Sequence, residues 1–120
     1  MVIQVPATKV LFIFGTRPEA IKLCPIIDHF RKRSEELQVQ VCVTAQHRQM
    51  LDQVLEVFRV KPDYDLNVMT PGQTLMQSTS RILSQLEPVL NDARPDVILV
   101  QGDTTTTLCG ALAGFYTNIP

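Results

Sequence analysis

Apolar positions along this chain alternate between short β-type runs and stretches of helical period. Lys9-Val-Leu-Phe-Ile-Phe14 is a β-rich run that stops at Gly15, and a helical pattern starts immediately after it. Gly15 is expected to use backbone angles closed to other residues. Thr16 and Glu19 fit the reciprocal S/T-x-x-E cap, and Pro18 suits a first helical turn. Ala20, Leu23, Cys24, Ile27 and Phe30 then recur at helical spacing, with Lys22, Asp28, Arg31 and Lys32 largely outside that stripe. Pro25 should bend this helix or mark irregular first turns.

A polar stretch, Arg33–Glu36, leads to a second strand over Val39–Thr44, and Ala45–Gln49 turns into a helix. Its inward stripe is Met50, Leu51, Val54, Leu55 and Phe58, ending before Lys61-Pro62. Asp63–Met69 holds a short edge strand and Thr70–Gln73 a turn. A long helix follows on Leu75, Thr79, Ile82, Leu83, Leu86, Val89 and Leu90, with Pro88 inside it. The run Asp96-Val-Ile-Leu-Val-Gln-Gly102 reads as a central parallel strand buried on both faces. Asp103–Thr107 opens a last helix with Leu108, Ala111, Leu112 and Phe115 inward.

Strands alternating with helices imply right-handed crossovers and an α/β fold, a doubly wound, Rossmann-like parallel sheet. Ligands of such sheets lie at the carboxyl ends of the strands, near the reversal of strand order. Three segments are expected to converge there: Gly15-Thr16-Arg17, Gln46-His47-Arg48 and Gly102-Asp103-Thr104.

Composition narrows the partners. The chain has 120 residues and a formal net charge of −1, which offers one core and no basic field for a nucleic acid backbone. The amino-terminal stretch lacks a basic region ahead of an apolar one, and no run approaches a membrane span, so a cytoplasmic location is expected, with no membrane partner. Cys24, Cys42 and Cys109 are odd in number and set in apolar surroundings, which fits reduced core thiols and no metal site.

The start of the first helix directs N–H groups and the positive end of its dipole toward the turn, and Arg17 adds a formal charge, so an anion, a phosphate, is the expected occupant. The bland alternative is a solvated first-turn arginine. Asp103 reads first as a helix N-cap, and alternatively as a carboxylate held at a strand end for proton transfer. Some of the hydroxyls of Thr104–Thr107 should hydrogen-bond at the helix start. Lys22 lies about 140° round the helix from Arg17 and is either a solvated residue or one that reaches back to the turn. His47 and Arg48 read as a solvated turn, and Gln46 and Gln49 as surface residues able to contact a polar ligand.

Four blocks now match something specific: Lys9–Lys22, Val41–Val54, Pro62–Leu66 and Pro95–Thr107 resemble, in order, the bacterial non-hydrolysing UDP-N-acetylglucosamine 2-epimerases. That resemblance implies interconversion of UDP-N-acetylglucosamine and UDP-N-acetylmannosamine through loss and re-addition of UDP, with no metal or redox cofactor. It implies a glycosyltransferase-B-like arrangement of two Rossmann-like halves, residues 1–120 being the amino-terminal one. By position, Arg17 is similar to the family's phosphate-side arginine, Lys22 to its active-site lysine and Asp103 to its acid/base carboxylate. Gln46, His47, Gln49 and Gln73 stand where family members bind a second UDP-N-acetylglucosamine as an activator.

The family continues beyond the position of Pro120 into another strand, further carboxylates and a second domain that holds uridine and contributes a histidine. The chain alone is therefore expected to turn over little substrate. Its last strand should lack a neighbour, leaving apolar area for self-association into a homo-oligomer. The rival readings are a fragment of a related UDP-sugar glycosyltransferase and a non-catalytic nucleotide-sugar-binding module.

Overall fold

Thr8–Phe14 forms β1, whose alternate side chains enter two different cores. The computed structural model describes Ile3 and residues 5–120; residues 1, 2 and 4, on which part of the expectation about the amino-terminal stretch rests, lie outside the described residues. Val10, Phe12 and Phe14 face one layer of helices, and Leu11 and Ile13 face the other. A strand buried on both faces is apolar throughout, as this one is.

The elements in chain order are β1, α1 (Arg17–Arg31), β2 (Leu37–Val43), α2 (Arg48–Val57), β3 (Tyr64–Asp65), α3 (Leu75–Ala93), β4 (Val97–Leu99) and α4 (Thr105–Thr117). The sheet has the order β3-β2-β1-β4, every pair parallel. Helices α1 and α2 contribute to the core on one face, and α3 and α4 to the core on the other. This is the expected doubly wound α/β fold. Strand order reverses between β1 and β4, so the crevice at their carboxyl ends is the switch point.

Short strands are anchored by carboxylates just ahead of them. Asp63 accepts from the Val41 N–H at 2.8 Å and Asp96 from the Lys9 N–H at 2.8 Å, each pinning the incoming strand to the neighbour already in place. Helix α1 runs through Pro25 without a break. Pro25 and Ile21 both lie on its exposed face, where water can solvate the carbonyl that the proline leaves without a donor. The buried stripe of α1 is the one expected, and Phe30 packs edge-on against Phe12 with ring centroids 5.8 Å apart.

Several expectations are corrected. Strand β4 lies at the edge of the sheet, and Val97–Val100 are all only partly buried. Part of its open side is met by the chain itself, since the Ile98 N–H donates to the Pro120 carbonyl at 2.8 Å. Met50 and Leu75 are exposed and do not belong to the inward stripes of α2 and α3.

The inward face of α4 is Thr106, Cys109, Gly110, Ala113 and Gly114, while Leu108 and Phe115 stand outside and Ala111 is exposed. The reason is closeness. A Cβ on Gly110 would lie 2.8 Å from Val100 Cγ1, and one on Gly114 would lie 3.0 Å from the Ile119 carbonyl oxygen. Only the small residues of α4 fit where it meets β4 and the chain end, and the large apolar ones are turned outward.

All three cysteines are free and buried, as expected. Among the described residues no helix is long and apolar enough to cross a membrane.

Candidate functional site

Three loops leave the carboxyl ends of β1, β2 and β4 and are tied together by hydrogen bonds. The Thr44 N–H donates to the Phe14 carbonyl at 2.9 Å, and the Gln46 N–H to the Gly15 carbonyl at 3.0 Å. Ala45 between them is fully buried and has φ +59°, a left-handed conformation that redirects the chain at this point. Gly15 itself has no positive φ, which corrects the expectation for it. Its requirement is space: a Cβ there would lie 1.8 Å from Thr44 Oγ1 and 2.9 Å from Thr106 Oγ1. The left-handed glycine is Gly102, with φ +89°, immediately before Asp103.

The polar centre of this rim is Glu19, only 1% exposed. Its Oε2 accepts from the N–H groups of Gly15 and Thr16, at 3.0 and 2.8 Å, and from the Thr16 hydroxyl at 2.7 Å. Its Oε1 accepts from the hydroxyls of Thr104 and Thr107, at 2.7 and 3.3 Å. One carboxylate thus completes the capping box of α1 and also grips the first turn of α4. Beside it Thr106 Oγ1 lies 2.8 Å from Thr44 Oγ1 and donates to Gln46 Oε1 at 2.7 Å. Both of these threonines are fully buried.

The sequence motif located the Glu19 cap but not its reach to α4. Nothing in residue spacing announces a bond across 85 positions. This arrangement narrows the donors left at the mouth of α1. The Gly15 and Thr16 N–H groups are taken by the protein's own carboxylate, and Pro18 has none to give. An anion here would meet the Arg17 N–H of the first turn and the Arg17 guanidinium.

The Arg17 side chain makes no hydrogen bond or ion pair among the described residues, and the residue is exposed. Asp103 is likewise exposed and unbonded among them. It does not cap α4: Thr104 does, its Oγ1 accepting from the Thr107 N–H at 3.1 Å. A threonine one position later wins because Gly102 turns the chain there and leaves the Asp103 side chain free of the helix end. Arg17 and Asp103 stand on one rim, at the ends of adjacent parallel strands. Lys22 is exposed and takes no part in the network.

Gln46 is part of the network through Thr106, while His47 and Gln49 are exposed at the start of α2. Gln73 bonds to its own loop and to the first turns of α3. Its Nε2 donates to Ser78 Oγ at 2.6 Å and the Val68 carbonyl at 3.2 Å, and its Oε1 accepts from Arg81 at 3.3 Å. That loop reaches the same rim, the Val68 N–H donating to the Thr44 carbonyl at 3.0 Å.

Arg48, expected in a solvated turn, has a definite structural task. Its guanidinium forks onto Asp65 at 2.7 and 2.8 Å and also reaches Asp52 at 3.2 Å, fastening α2 to the end of β3. The hydrogen bonds that it donates to Asp65 hold its pKa above the ordinary arginine value. The two-residue β3 gave no sign of this pairing in sequence.

Comparison with known proteins bears on what this rim serves. A family described as UDP-N-acetylglucosamine 2-epimerase matches residues 30–120. The UDP-N-acetylglucosamine 2-epimerase of Yersinia pestis is 60% identical over 112 residues, which cover 93% of this chain and 30% of that one. The crystal structure of the Neisseria meningitidis UDP-GlcNAc 2-epimerase bound to UDP-GlcNAc superimposes with TM-score 0.89 at 55% identity, covering 94% of this chain and 30% of that one. The Methanocaldococcus jannaschii UDP-GlcNAc 2-epimerase, solved with UDP-GlcNAc and UDP, gives TM-score 0.85 at 36% identity, with 93% and 31% covered. The chain therefore spans about 30% of the length of the relatives it matches.

Proposed function

The chain belongs to the UDP-N-acetylglucosamine 2-epimerase family, and from that premise we propose that it forms the amino-terminal Rossmann-like half of a non-hydrolysing epimerase. Its substrate is then UDP-N-acetylglucosamine, lying across the switch point between β1 and β4. The observation that carries this is the placing of Arg17 and Asp103 on the same rim, on loops held together by Glu19, Thr44 and Thr106. The rival glycosyltransferase reading gives way to the family match.

In this reading the C2 proton of the sugar is removed and the C1–O bond to the diphosphate breaks, giving 2-acetamidoglucal and UDP. Re-addition of UDP with return of a proton to the opposite face of C2 gives the manno epimer. Arg17 offers positive charge where the leaving diphosphate gathers negative charge. Asp103 is one acid/base group. Exchange on two faces of the ring needs a second, so the chain by itself should show almost no turnover. Lys22, near the second turn of α1, would approach the sugar or diphosphate only on closure of the cleft.

Gln46, His47, Gln49 and Gln73 form, in the same proposal, the surface for a second UDP-N-acetylglucosamine that activates the first site. We place the protein in the cytoplasm, where nucleotide-sugars are made. Self-association is expected through apolar residues left outside on α3 and α4, namely Leu75, Met76, Leu108, Phe115 and Tyr116.

Titration calorimetry with UDP-N-acetylglucosamine tests the binding claim. The chain should bind, and Arg17→Ala should weaken binding at least tenfold without lowering thermal stability. Absence of binding, or full affinity in Arg17→Ala, would defeat the assignment. Sedimentation at rising concentration tests association, and a constant monomer would remove that part.

A further inference from the structure

Glu19 is the one acidic side chain described as buried, and its hydrogen bonds come only from neutral donors. A carboxylate without a cation beside it is costly to bury, so the donors around it must be many and well aimed. Here the Gly15 and Thr16 N–H groups and the Thr16 and Thr104 hydroxyls all donate within 3.0 Å, and the Thr107 hydroxyl, which also donates to the Gln101 carbonyl at 2.8 Å, stands as a weaker fifth at 3.3 Å. Three of the donors lie just ahead of Arg17 in sequence, at Gly15 and Thr16. Another, Thr104, follows Asp103 directly.

We infer that Glu19 is a positioning residue: its carboxylate fixes the Arg17 loop and the Asp103 loop relative to one another. The mechanism is hydroxyl orientation. Thr104 donates its proton to Glu19 Oε1 and accepts the Thr107 N–H on one lone pair, so its rotamer and the backbone entering α4 are set together. Gly102, with φ +89°, gives no steric help in holding Asp103, because a Cβ there would touch nothing within 4 Å. The hold on that loop comes from the helix side. Replacement of the carboxylate by an amide leaves its oxygen with the Gly15 and Thr16 N–H groups and turns an N–H toward Thr104, whose proton then loses its acceptor and whose hydroxyl must reorient while it caps α4.

The functional meaning of this role rests on the proposed epimerase site, whereas its structural content does not. The experiment uses backbone amide NMR of this 120-residue chain, with Glu19→Gln, Thr104→Val and Thr104→Ser, followed by UDP-N-acetylglucosamine titration of each. Glu19→Gln should keep the resonances of β1 and β2 interior residues. It should shift the amides of Gly102–Leu108 and speed hydrogen exchange at Thr107 and Leu108 at least tenfold.

Thr104→Val should reproduce these changes, Thr104→Ser should not, and combining Glu19→Gln with Thr104→Val should add little to either. Perturbation confined to residues 15–20, or spread evenly over the chain, would overturn the inference. Where wild type binds the nucleotide-sugar, Glu19→Gln should weaken it at least fivefold, and unchanged affinity would overturn the functional part. A wild-type chain that does not bind would defeat the proposed function, while the amide shifts would still decide the positioning role.

Discussion

Glu19 Oε1 accepts a hydrogen bond from Thr104 Oγ1 at 2.7 Å, joining residues 85 positions apart at the mouths of α1 and α4. The same carboxylate satisfies the N–H groups of Gly15 and Thr16. Truncation to alanine strands these donors in a buried setting, where each unsatisfied polar group costs about 1–3 kcal/mol. Glu19→Ala should therefore lose on the order of 3 kcal/mol or more of unfolding free energy in urea, and Glu19→Gln clearly less. Equal stability of the alanine variant and wild type would contradict the hydrogen-bond assignment.

Gly15 answers to Thr44. A Cβ at 1.8 Å from Thr44 Oγ1 and 3.2 Å from Thr44 Cβ forces the buried Thr44 side chain to turn, between strands that are paired along their whole length. Overpacking of this kind costs about 1–3 kcal/mol and more where backbone must move. Gly15→Ala should fall at or above that range by denaturant melts. Adding Thr44→Ala should recover part of the loss, since the hydroxyl is the nearest atom. A double variant no better than Gly15→Ala would place the strain elsewhere.

The Arg48–Asp65 fork is half-exposed, with side-chain exposures of 37% and 40%. Such a pair contributes about 0.5–1 kcal/mol after screening, despite its two short bonds. Arg48→Ala should cost about that much at low ionic strength and less in 0.5–1 M salt, at roughly three to ten times the screening of dilute buffer. Amide exchange should quicken at Asp65–Asn67 before it does in β1. An effect independent of salt would show that packing of the arginine stem outweighs its charge.

Burial pushes the Cys24 thiol up from 9.0 to about 11 and the Cys42 thiol up to about 12. Both folded-state values exceed those of unfolded thiols, so the folded chain holds protons that the unfolded chain has released at alkaline pH. Stability linked to these groups is complete below about pH 8.5 and is lost as pH rises toward 11–12. Urea midpoints should decline across that interval. Cys24→Ala/Cys42→Ala, measured against its own value at pH 8, should decline less. Alkylation by iodoacetamide at pH 8 should be slow in buffer and rapid in urea, and fast labelling of the native chain would refute the burial of these thiols.

The sequence determined the alternation of elements, the Thr16–Glu19 cap and the presence of four strands, because each depends on neighbours within a few residues, whereas the order of the strands in the sheet came from the structure. The Gly15–Arg17, Gln46–Arg48 and Gly102–Thr104 segments could be brought together on paper because parallel strands put all their carboxyl ends on one rim. Periodicity failed at α4, which is apolar on every side. There the choice of face came from how near Val100 and the chain end approach Gly110 and Gly114.

Tertiary structure alone decided that Glu19 serves two helices, that Thr104 and not Asp103 caps α4, and that Arg48 holds β3. The first and last are bonds between polar groups distant in sequence, and the choice between the neighbours Asp103 and Thr104 followed the turn at Gly102. Only the folded sheet, by setting which strand ends lie side by side, determines which of them can reach.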